Sequence, residues 1–461
     1  MNHADRSRLP LPGASPRVRF PFVLKQQLPN GLQLRSVEHR SLPVVSFLLM
    51  LPVGSAADPE MQGGLSALTS DMLDEGTGQR SAIEVHEALA RIGARFDTDV
   101  TADATILTLT TLARFAERGL SLLADCVLRP RLEPRDFARV RQLRLTRIVQ
   151  LRDLPPAVAD RAFMHLLYGS HPYGHTPLGS EAALQQITLE DVVGFHRAAY
   201  IPAEATLIAV GDIEGSVFKQ MAEESFGSWK AQDAQSSSAP IKQVQSPRVP
   251  RAVPQRIAVA HRADAAQSEL RIGHLGAARD TSDYHALVVL NTILGGQFVS
   301  RVNLKLREEK GYTYGAWTSF DFRRGRGPFI FHAAVQTEVT ADAIRSATGE
   351  LQAIREDRPP TQPELELAKA ALTRGYARNF ETSDQIANAL AQLALHGLPD
   401  DYFDQFVPRV LEVDVETALR AAQTYLDPEH RLTVIVGNQD AIQPSLLGEG
   451  LGEPTVISAS I

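Results

Sequence analysis

Three neighbouring positions, 67, 70 and 71, have the spacing of a metal-binding helix. Positions four residues apart share a helix face, so histidines at 67 and 71 would hold one Zn²⁺ while a glutamate at 70 acted as general base. The sequence has Ala67, Ser70 and Asp71 instead. Alanine has no lone pair to donate, serine is not a base near neutral pH, and one carboxylate is too few ligands. These residue types are typical of an ordinary buried helix, and we expect no metal on this chain.

A second pair of side chains, Arg307 and Tyr314, lies further along the chain with Gly311 between them. Glycine can end the helix that bears the arginine, and the tyrosine would then point from the following strand. A permanently charged guanidinium and a phenolic hydroxyl are both hydrogen-bond donors that could converge on one carbonyl oxygen. From the residues alone, there is an alternative interpretation without a functional site. Arg307 would then belong to a solvent-exposed run of charged residues that ends at Lys310, and Tyr314 would be an aromatic residue of a sheet.

The composition indicates a globular protein with material for two to four domains. Of the 461 residues, 44% are apolar and 22% are charged. The formal net charge of −7 argues against nucleic acid as the main partner, because that role calls for a concentrated basic surface. The single cysteine, Cys126, lies in an apolar helical pattern, so we predict a small core residue.

An internal repeat divides the chain into two related halves. A helix, a tyrosine followed closely by a proline, and an apolar strand occur at 191–212 and again at 414–438. Between the two copies, residues 231–255 are dense in Gln, Ser and Pro, which is typical of an interdomain linker. We therefore predict an N-terminal domain over 1–230, a linker over 231–255 and a C-terminal domain over 256–461.

Each half contains short apolar strands together with helices, some of which begin with a recognisable N-terminal capping pattern. Ser81 to Glu84 and Thr361 to Glu364 have the pattern of capping boxes. Predicted strands often follow one another without an intervening helix, which favours mainly antiparallel sheets of the α+β class. The predicted strands are Gly31–Val37, Val44–Val53, Thr105–Leu112, Ala205–Val210, Arg256–His261, Glu269–His274, Tyr314–Phe322, Pro328–Val335 and Leu432–Val436.

The segment Gly64 to Thr77 resembles the motif of the M16 metallopeptidases, in which His-x-x-Glu-His lies between a leading glycine and a Met-x-x-x-Gly-Thr ending. The histidines of that motif fall on Ala67 and Asp71, and its glutamate falls on Ser70. The third ligand of the family is a glutamate in a later helix, which here is basic and has no acidic residue between Asp136 and Asp153. The resemblance thus covers the frame of the motif and not its ligands.

The segment Leu294 to Tyr314 resembles the M16 segment that carries a paired arginine and tyrosine, which fall on Arg307 and Tyr314. The resemblance implies that this pair binds substrate and stabilises the transition state. It also implies that the edge strand around Phe96 and Thr98 binds an extended peptide. For the fold, it implies two homologous domains, each a mainly antiparallel sheet packed with helices, in a clamshell arrangement.

A chain with the Arg307 and Tyr314 pair and no zinc ligands resembles the non-zinc subunit of the bacterial heterodimeric M16B peptidases. The implied partner is a zinc-bearing M16B subunit, and the implied substrate is a peptide. No cofactor is expected in this chain, because the zinc would reside in the partner. Two other classes stay open: a structural family member comparable to the core subunits of the respiratory bc₁ complex, and a stand-alone hydrolase, for which the sequence has no Gly-x-Ser-x-Gly elbow.

The sequence predicts no membrane segment. The first 25 residues have no continuous apolar core, and the apolar run Val44 to Val53 is too short to cross a bilayer. We expect a cytoplasmic protein, or a periplasmic one if a signal preceded this numbering.

Overall fold

The computed structural model describes residues 18–230 and 256–458. The predicted linker, 231–255, lies outside the described residues, as do residues 1–17 and 459–461 of the two predicted domains. The described residues form two domains of the α+β class, each with a six-stranded sheet and packed helices, which confirms the predicted fold class.

The strands of the first domain, in chain order, are β1 (Leu24–Gln27), β2 (Gln33–Glu38), β3 (Val44–Leu51), β4 (Gly76–Thr77), β5 (Arg80–Ser81), β6 (Arg95–Val100), β7 (Thr105–Leu112) and β8 (Thr206–Gly211). Six of them form one sheet in the order β1-β2-β8-β3-β7-β6, while β4 and β5 form a separate ribbon. In the larger sheet only β2 and β8 run parallel. Strand β8 is buried along its whole length, as its apolar sequence requires at the centre of a covered sheet.

The strands of the second domain, in chain order, are β9 (Arg256–His261), β10 (Gln267–Leu275), β11 (Ala316–Phe320), β12 (Pro328–Gln336), β13 (Leu432–Gly437) and β14 (Thr455–Ile457). They form one sheet in the order β11-β12-β10-β13-β9-β14. Strand β13 pairs parallel with β9 and antiparallel with β10, as β8 pairs with β2 and β3 in the first domain. The apolar strands that end the two copies of the sequence repeat, β8 and β13, therefore occupy equivalent places in the two sheets.

The helices of the first domain are α1 (Leu65–Asp71), α2 (Ala82–Arg91), α3 (Ala116–Leu128), α4 (Pro134–Arg152), α5 (Pro155–Tyr168), α6 (Glu181–Gln186), α7 (Leu189–Ala199) and α8 (Gly215–Phe226). Those of the second domain are α9 (Tyr284–Leu294), α10 (Arg301–Asn303), α11 (Thr340–Ala353), α12 (Gln362–Arg374), α13 (Ser383–Leu395), α14 (Tyr402–Glu412), α15 (Val415–Tyr425) and α16 (Gln439–Gly448). A π-helix, Leu304–Glu309, continues directly from α10.

The two domains exchange one helix each. Helix α5 of the first domain packs on β10 and β13 of the second sheet, where the fully buried Phe163 ring fills the space beside Gly273. Helix α13 of the second domain packs on β3 and β8 of the first sheet, with Leu390 in one buried cluster with Leu48 and Ile208. Because each sheet needs a helix of the other domain to cover one of its faces, neither domain has a complete core on its own.

Local signals in the sequence account for many of these elements. Ser81 and Thr361 form the predicted capping boxes at the starts of α2 and α12. Cys126 is buried in the first core, as predicted. One predicted strand is too long at its start, because Tyr314 precedes β11: the side chain of Thr313 bonds the backbone of Gly315 and holds this stretch as a turn.

No helix in residues 18–230 or 256–458 is long and apolar enough to cross a membrane.

Candidate functional site

Helix α1 carries the positions of the metal motif, and a carboxylate from outside the helix anchors its start. Gly64 precedes the helix in the left-handed conformation, with φ of 101°. The fully buried Asp58 carboxylate accepts hydrogen bonds of 2.7 Å from the backbone N–H groups of Gly64 and Ser66. His175 contacts the same carboxylate at 3.1 Å. The helix N-terminus is thus satisfied without a residue of the helix itself.

One of the three motif positions, Asp71, forms an ion pair. Ala67 and Ser70 are buried in the first domain, and Asp71 at the end of α1 points towards α4. There, Nη1 of Arg144 donates a hydrogen bond of 2.5 Å to Asp71 Oδ2, and Nη2 donates one of 2.7 Å to the carbonyl oxygen of Pro177. The guanidinium is therefore held on two sides, by a helix and by a loop.

These residues do not fit a zinc ion. The only carboxylate among the three motif positions already neutralises a guanidinium, which is permanently charged and would repel a dication. Asp74, one turn beyond Asp71, has its pKa raised by burial, which disfavours a second anionic ligand. In residues 18–230 and 256–458, no group of three or more His, Cys, Asp and Glu side chains is placed to hold a metal ion.

The predicted peptide-binding strand β6 lies at an edge of the first sheet, and among the described residues it pairs only with β7. Phe96 and Thr98 are half-buried on one side of it, and the alternate residues Arg95, Asp97 and Asp99 are exposed. Helix α1 packs beside this strand, so the altered metal motif and the strand edge are neighbours. An edge strand of this kind can accept an extended chain as an additional strand.

The equivalent edge of the second sheet, β11, is blocked. The backbone N–H of Ala316 donates to the side chain of Asn303 at 3.0 Å, and that of Thr318 donates to the carbonyl oxygen of Gly295 at 3.2 Å. These groups would otherwise be available to an added strand. The two sheet edges therefore differ, and β6 is the one open to a peptide.

Arg307 lies in the π-helix, a rare conformation that occurs frequently at functional sites. Its guanidinium carbon lies 4.3 Å from the centre of the Phe298 ring, a cation–π contact. The nearest carboxylate, that of Glu308, lies 3.6 Å from Nη1, which is beyond strong hydrogen-bond range. Because Nη1 is buried and has no hydrogen-bond partner, the aromatic ring and the weak ion pair are what orient this side chain.

Tyr314 stands on the surface beyond the end of the π-helix. Gly311, with φ of 67°, ends that helix as predicted. The tyrosine side chain is 93% exposed, and its hydroxyl makes no hydrogen bond to any described residue. Tyr312 differs, because its hydroxyl donates to Asp342 at 2.6 Å. No hydrogen bond joins Arg307 to Tyr314, so the structure places both donors near the same helix end without bringing them into contact.

Several residues of this region were not singled out from the sequence. No acidic residue follows Asp136 in α4, but this sequence pattern does not indicate that Arg144 pairs with Asp71. The role of Asp58 has no sequence signal, because the carboxylate lies six residues before the first amide that it binds. The contact between the Phe298 ring and Arg307 has no sequence signal either, because the two residues lie nine positions apart.

Two models of one protein family match the chain. They are described as "Insulinase (Peptidase family M16)", over residues 36–180, and "Peptidase M16 inactive domain", over residues 186–372.

Relatives and solved structures agree with these matches. Zinc protease PqqE of Helicobacter pylori is 25% identical over 415 residues, which are 89% of this chain and 91% of that protein. An uncharacterised zinc protease of Mycobacterium tuberculosis is 24% identical over 413 residues, with coverage of 88% and 92%. The crystal structure of a peptidase M16 inactive domain from Pseudomonas fluorescens superposes with a TM-score of 0.82 at 26% identity, covering 90% of this chain and 98% of that one. A protease of Helicobacter pylori with a TM-score of 0.83 and 22% identity, covering 90% and 99%, shares the fold.

Proposed function

This chain belongs to the M16 peptidase family, and from that premise we propose that it is the zinc-less subunit of a heterodimeric M16B-type peptidase. On its own it is inactive. Its partner is a zinc-bearing M16B subunit, and the pair hydrolyses peptides. The chain supplies Arg307 and Tyr314 to bind the substrate and stabilise the transition state at the partner's zinc site.

The ion pair between Asp71 and Arg144 is the observation that carries this proposal. Relatives of similar length are named zinc proteases, but in this chain the metal positions hold a carboxylate bound to a guanidinium. An ion pair at one of these positions favours a chain that binds no metal there. Hydrolysis by such a family member therefore requires a zinc site on another chain.

Arg307 and Tyr314 suit the role of donors to a developing oxyanion. A guanidinium and a phenol both donate hydrogen bonds, and such donors typically contribute about 10²- to 10³-fold each in rate when they meet the transition state. The exposed Tyr314 hydroxyl is free to meet a ligand from outside the chain. The open strand β6, with Phe96 and Thr98, would bind the substrate backbone.

A mixing experiment tests the proposal. The purified chain is combined with a zinc-bearing M16 subunit of the same organism, and hydrolysis of unfolded peptides is measured for each protein alone and for the mixture. We expect activity only in the mixture. Activity of this chain alone would contradict the proposal, and so would a partner whose activity is unchanged by it.

The alternative is a structural member of the family that assembles with other chains without a catalytic part. One observation favours it: Arg307 and Tyr314 make no contact with each other, and Arg307 already packs on Phe298. In that case the chain would associate with its partner without changing the rate of hydrolysis.

A further inference from the structure

The turns of two hairpins, one from each domain, meet at the contact between the domains. The first hairpin joins β6 to β7 and contains Asp103 in its turn, and the second joins β11 to β12 through residues 321–327. The first hairpin carries the open strand edge, and the second begins just after Tyr314. The relative position of the two candidate peptide-contacting features therefore depends on how these turns are joined.

Asp103 and Tyr173 join the turns through a closed hydrogen-bond network. The Tyr173 hydroxyl donates to Asp103 Oδ1 at 2.6 Å and accepts from the backbone N–H of Gly325 at 3.1 Å. Asp103 Oδ2 accepts from the backbone N–H of Arg324 at 2.8 Å. Asp103 is 8% exposed and Tyr173 is fully buried, so water does not replace these bonds readily.

Neighbouring contacts strengthen the same junction. Tyr168, at the end of the exchanged helix α5, donates from its hydroxyl to the carbonyl oxygen of Arg326 at 2.8 Å. The Arg323 guanidinium lies 4.8 Å from the centre of the Tyr173 ring, and its ion pair with Asp321 stays within the second turn.

Most of these bonds from the first domain reach backbone atoms of the second turn. A side chain that binds backbone groups fixes the path of the chain and is insensitive to the identity of the side chains there. The contacts therefore constrain the turn where β11 ends and β12 begins, which is what a positioning role for this hairpin requires.

We propose that Asp103 and Tyr173 are positioning residues, which hold the β11–β12 hairpin, and with it the Tyr314 segment, in a fixed place relative to strand β6. The first domain, although its metal motif is lost, thereby serves as the support for the second. This inference rests on the proposed function only for the roles of Tyr314 and β6, and it can be tested on the chain alone.

Hydrogen exchange followed by mass spectrometry measures the coupling. In Tyr173→Phe, the hydroxyl that joins Asp103 to Gly325 is removed while the buried ring is kept. We expect exchange to become about tenfold faster in the segment 312–327 and in the turn 101–104, as local opening becomes easier, with β10 and β13 unchanged. Asp103→Asn, which loses one of the two accepted bonds, should give the same pattern at smaller amplitude, and the two changes together should not add, because they belong to one network.

Two further measurements separate positioning from general loss of stability. Tyr376→Phe is the matched control, because this buried tyrosine of the second domain stacks on Phe406 and makes no hydroxyl hydrogen bond to a described residue. It should leave the exchange of both hairpins unchanged. Spin labels at Asp97 and Ser319, on β6 and β11, should give a broader distance distribution in Tyr173→Phe than in the otherwise native chain.

The proposal is overturned if faster exchange is confined to residues 324 and 325, if it spreads equally through both sheets, or if the label distances keep their native width. None of these results depends on a partner. Failure of the mixing experiment with retained coupling of the hairpins would therefore count against the peptidase proposal alone.

Discussion

Arg144 of α4 donates a 2.5 Å hydrogen bond to Asp71 of α1, the residue that stands at a histidine position of the motif that this segment resembles. The arginine side chain is only 11% exposed, while that of Asp71 is 37% exposed. The pair joins helices α1 and α4 through a charged hydrogen bond, and it leaves the only carboxylate among the three motif positions neutralised by a guanidinium.

The ion pair should contribute to stability. Asp71→Ala leaves the Arg144 guanidinium largely buried with only the Pro177 carbonyl oxygen as a partner, so we expect the free energy of unfolding to fall by about 1.5–3 kcal/mol. Urea denaturation gives the value. Glu87→Ala is the matched control, because it breaks the exposed pair with Arg91 and should cost less than about 1 kcal/mol. Equal costs for the two variants would show that the pair between α1 and α4 is only a surface contact.

Restoring zinc binding should require removal of Arg144. We expect the variant Ala67→His, Ser70→Glu, Asp71→His to retain no zinc after dialysis, because the guanidinium still faces the site. Adding Arg144→Glu replaces the repelling charge with a ligand, and metal analysis should then find close to one zinc per chain. Stoichiometric zinc in the native protein or in the triple variant would contradict our interpretation of the site.

Removal of either candidate donor should slow the assembled peptidase. For Arg307→Ala and Tyr314→Phe we expect kcat/KM for a peptide to fall by about 10²- to 10³-fold, with assembly of the two subunits unchanged by size-exclusion chromatography. Tyr312→Phe is the matched control, because its hydroxyl binds Asp342 within the chain, and turnover should stay within about threefold of the native value. Native turnover in both donor variants would exclude this role.

Acid should destabilise the second domain through His274. This ring is buried, its Nε2 accepts from the backbone N–H of Asp427, and burial lowers its pKa from 6.5 to about 4. The unfolded chain therefore binds a proton first as the pH falls, so stability contributed by the neutral ring is complete above pH 6.5 and is lost progressively down to about pH 4.

The pH effect can be isolated by substitution. Between pH 6.5 and 4, we expect His274→Gln to reduce the slope of the unfolding free energy against pH by up to about 1.4 kcal/mol per pH unit. Urea denaturation at several pH values measures both slopes. Identical slopes would show that the ring does not stay neutral in the folded chain.

The exchanged helices should make the two domains unfold together. Phe163→Ala removes a fully buried ring of α5 from the second sheet, and we expect it to cost about 3–5 kcal/mol. Trp229 is buried in the first domain and Trp317 lies on β11 of the second, so single-tryptophan variants report on each domain separately. The two signals should change at one urea concentration in the native chain and at one lower concentration in the variant. Separate transitions would contradict a shared core.

Much of the fold follows from local sequence signals. Thr105–Leu112 and Arg256–His261 are strands with the predicted bounds, and the repeated strands β8 and β13 hold equivalent places in the two sheets. Helix starts were found from capping boxes at Ser81 and Thr361. These features depend on side-chain periodicity and on bonds between residues close in sequence, which is why a single sequence contains them.

The candidate site was predicted less completely. Ala67, Ser70 and Asp71 lie on one helix as expected, and Phe96 and Thr98 lie on an open edge strand. The roles of Arg307 and Tyr314 stay predictions, because the two side chains do not meet within the chain. The prediction that these positions bind no zinc rests on residue types alone, since alanine and serine cannot replace histidine and glutamate whatever the fold.

Only the tertiary structure decided which side chain pairs with Asp71 and how the two domains depend on each other. The bond between Asp71 and Arg144 spans 73 residues, and the bond between Asp103 and the Arg324 backbone spans 221. Contacts at such separations depend on the packing of whole helices and hairpins, which no local pattern encodes. The sequence by itself determined which side chains stand at the three motif positions, and the prediction that this chain binds no catalytic metal follows from their chemistry. The exchange of α5 and α13 depended on the shapes of the two sheets, because one face of each sheet is covered only when the other domain is folded against it.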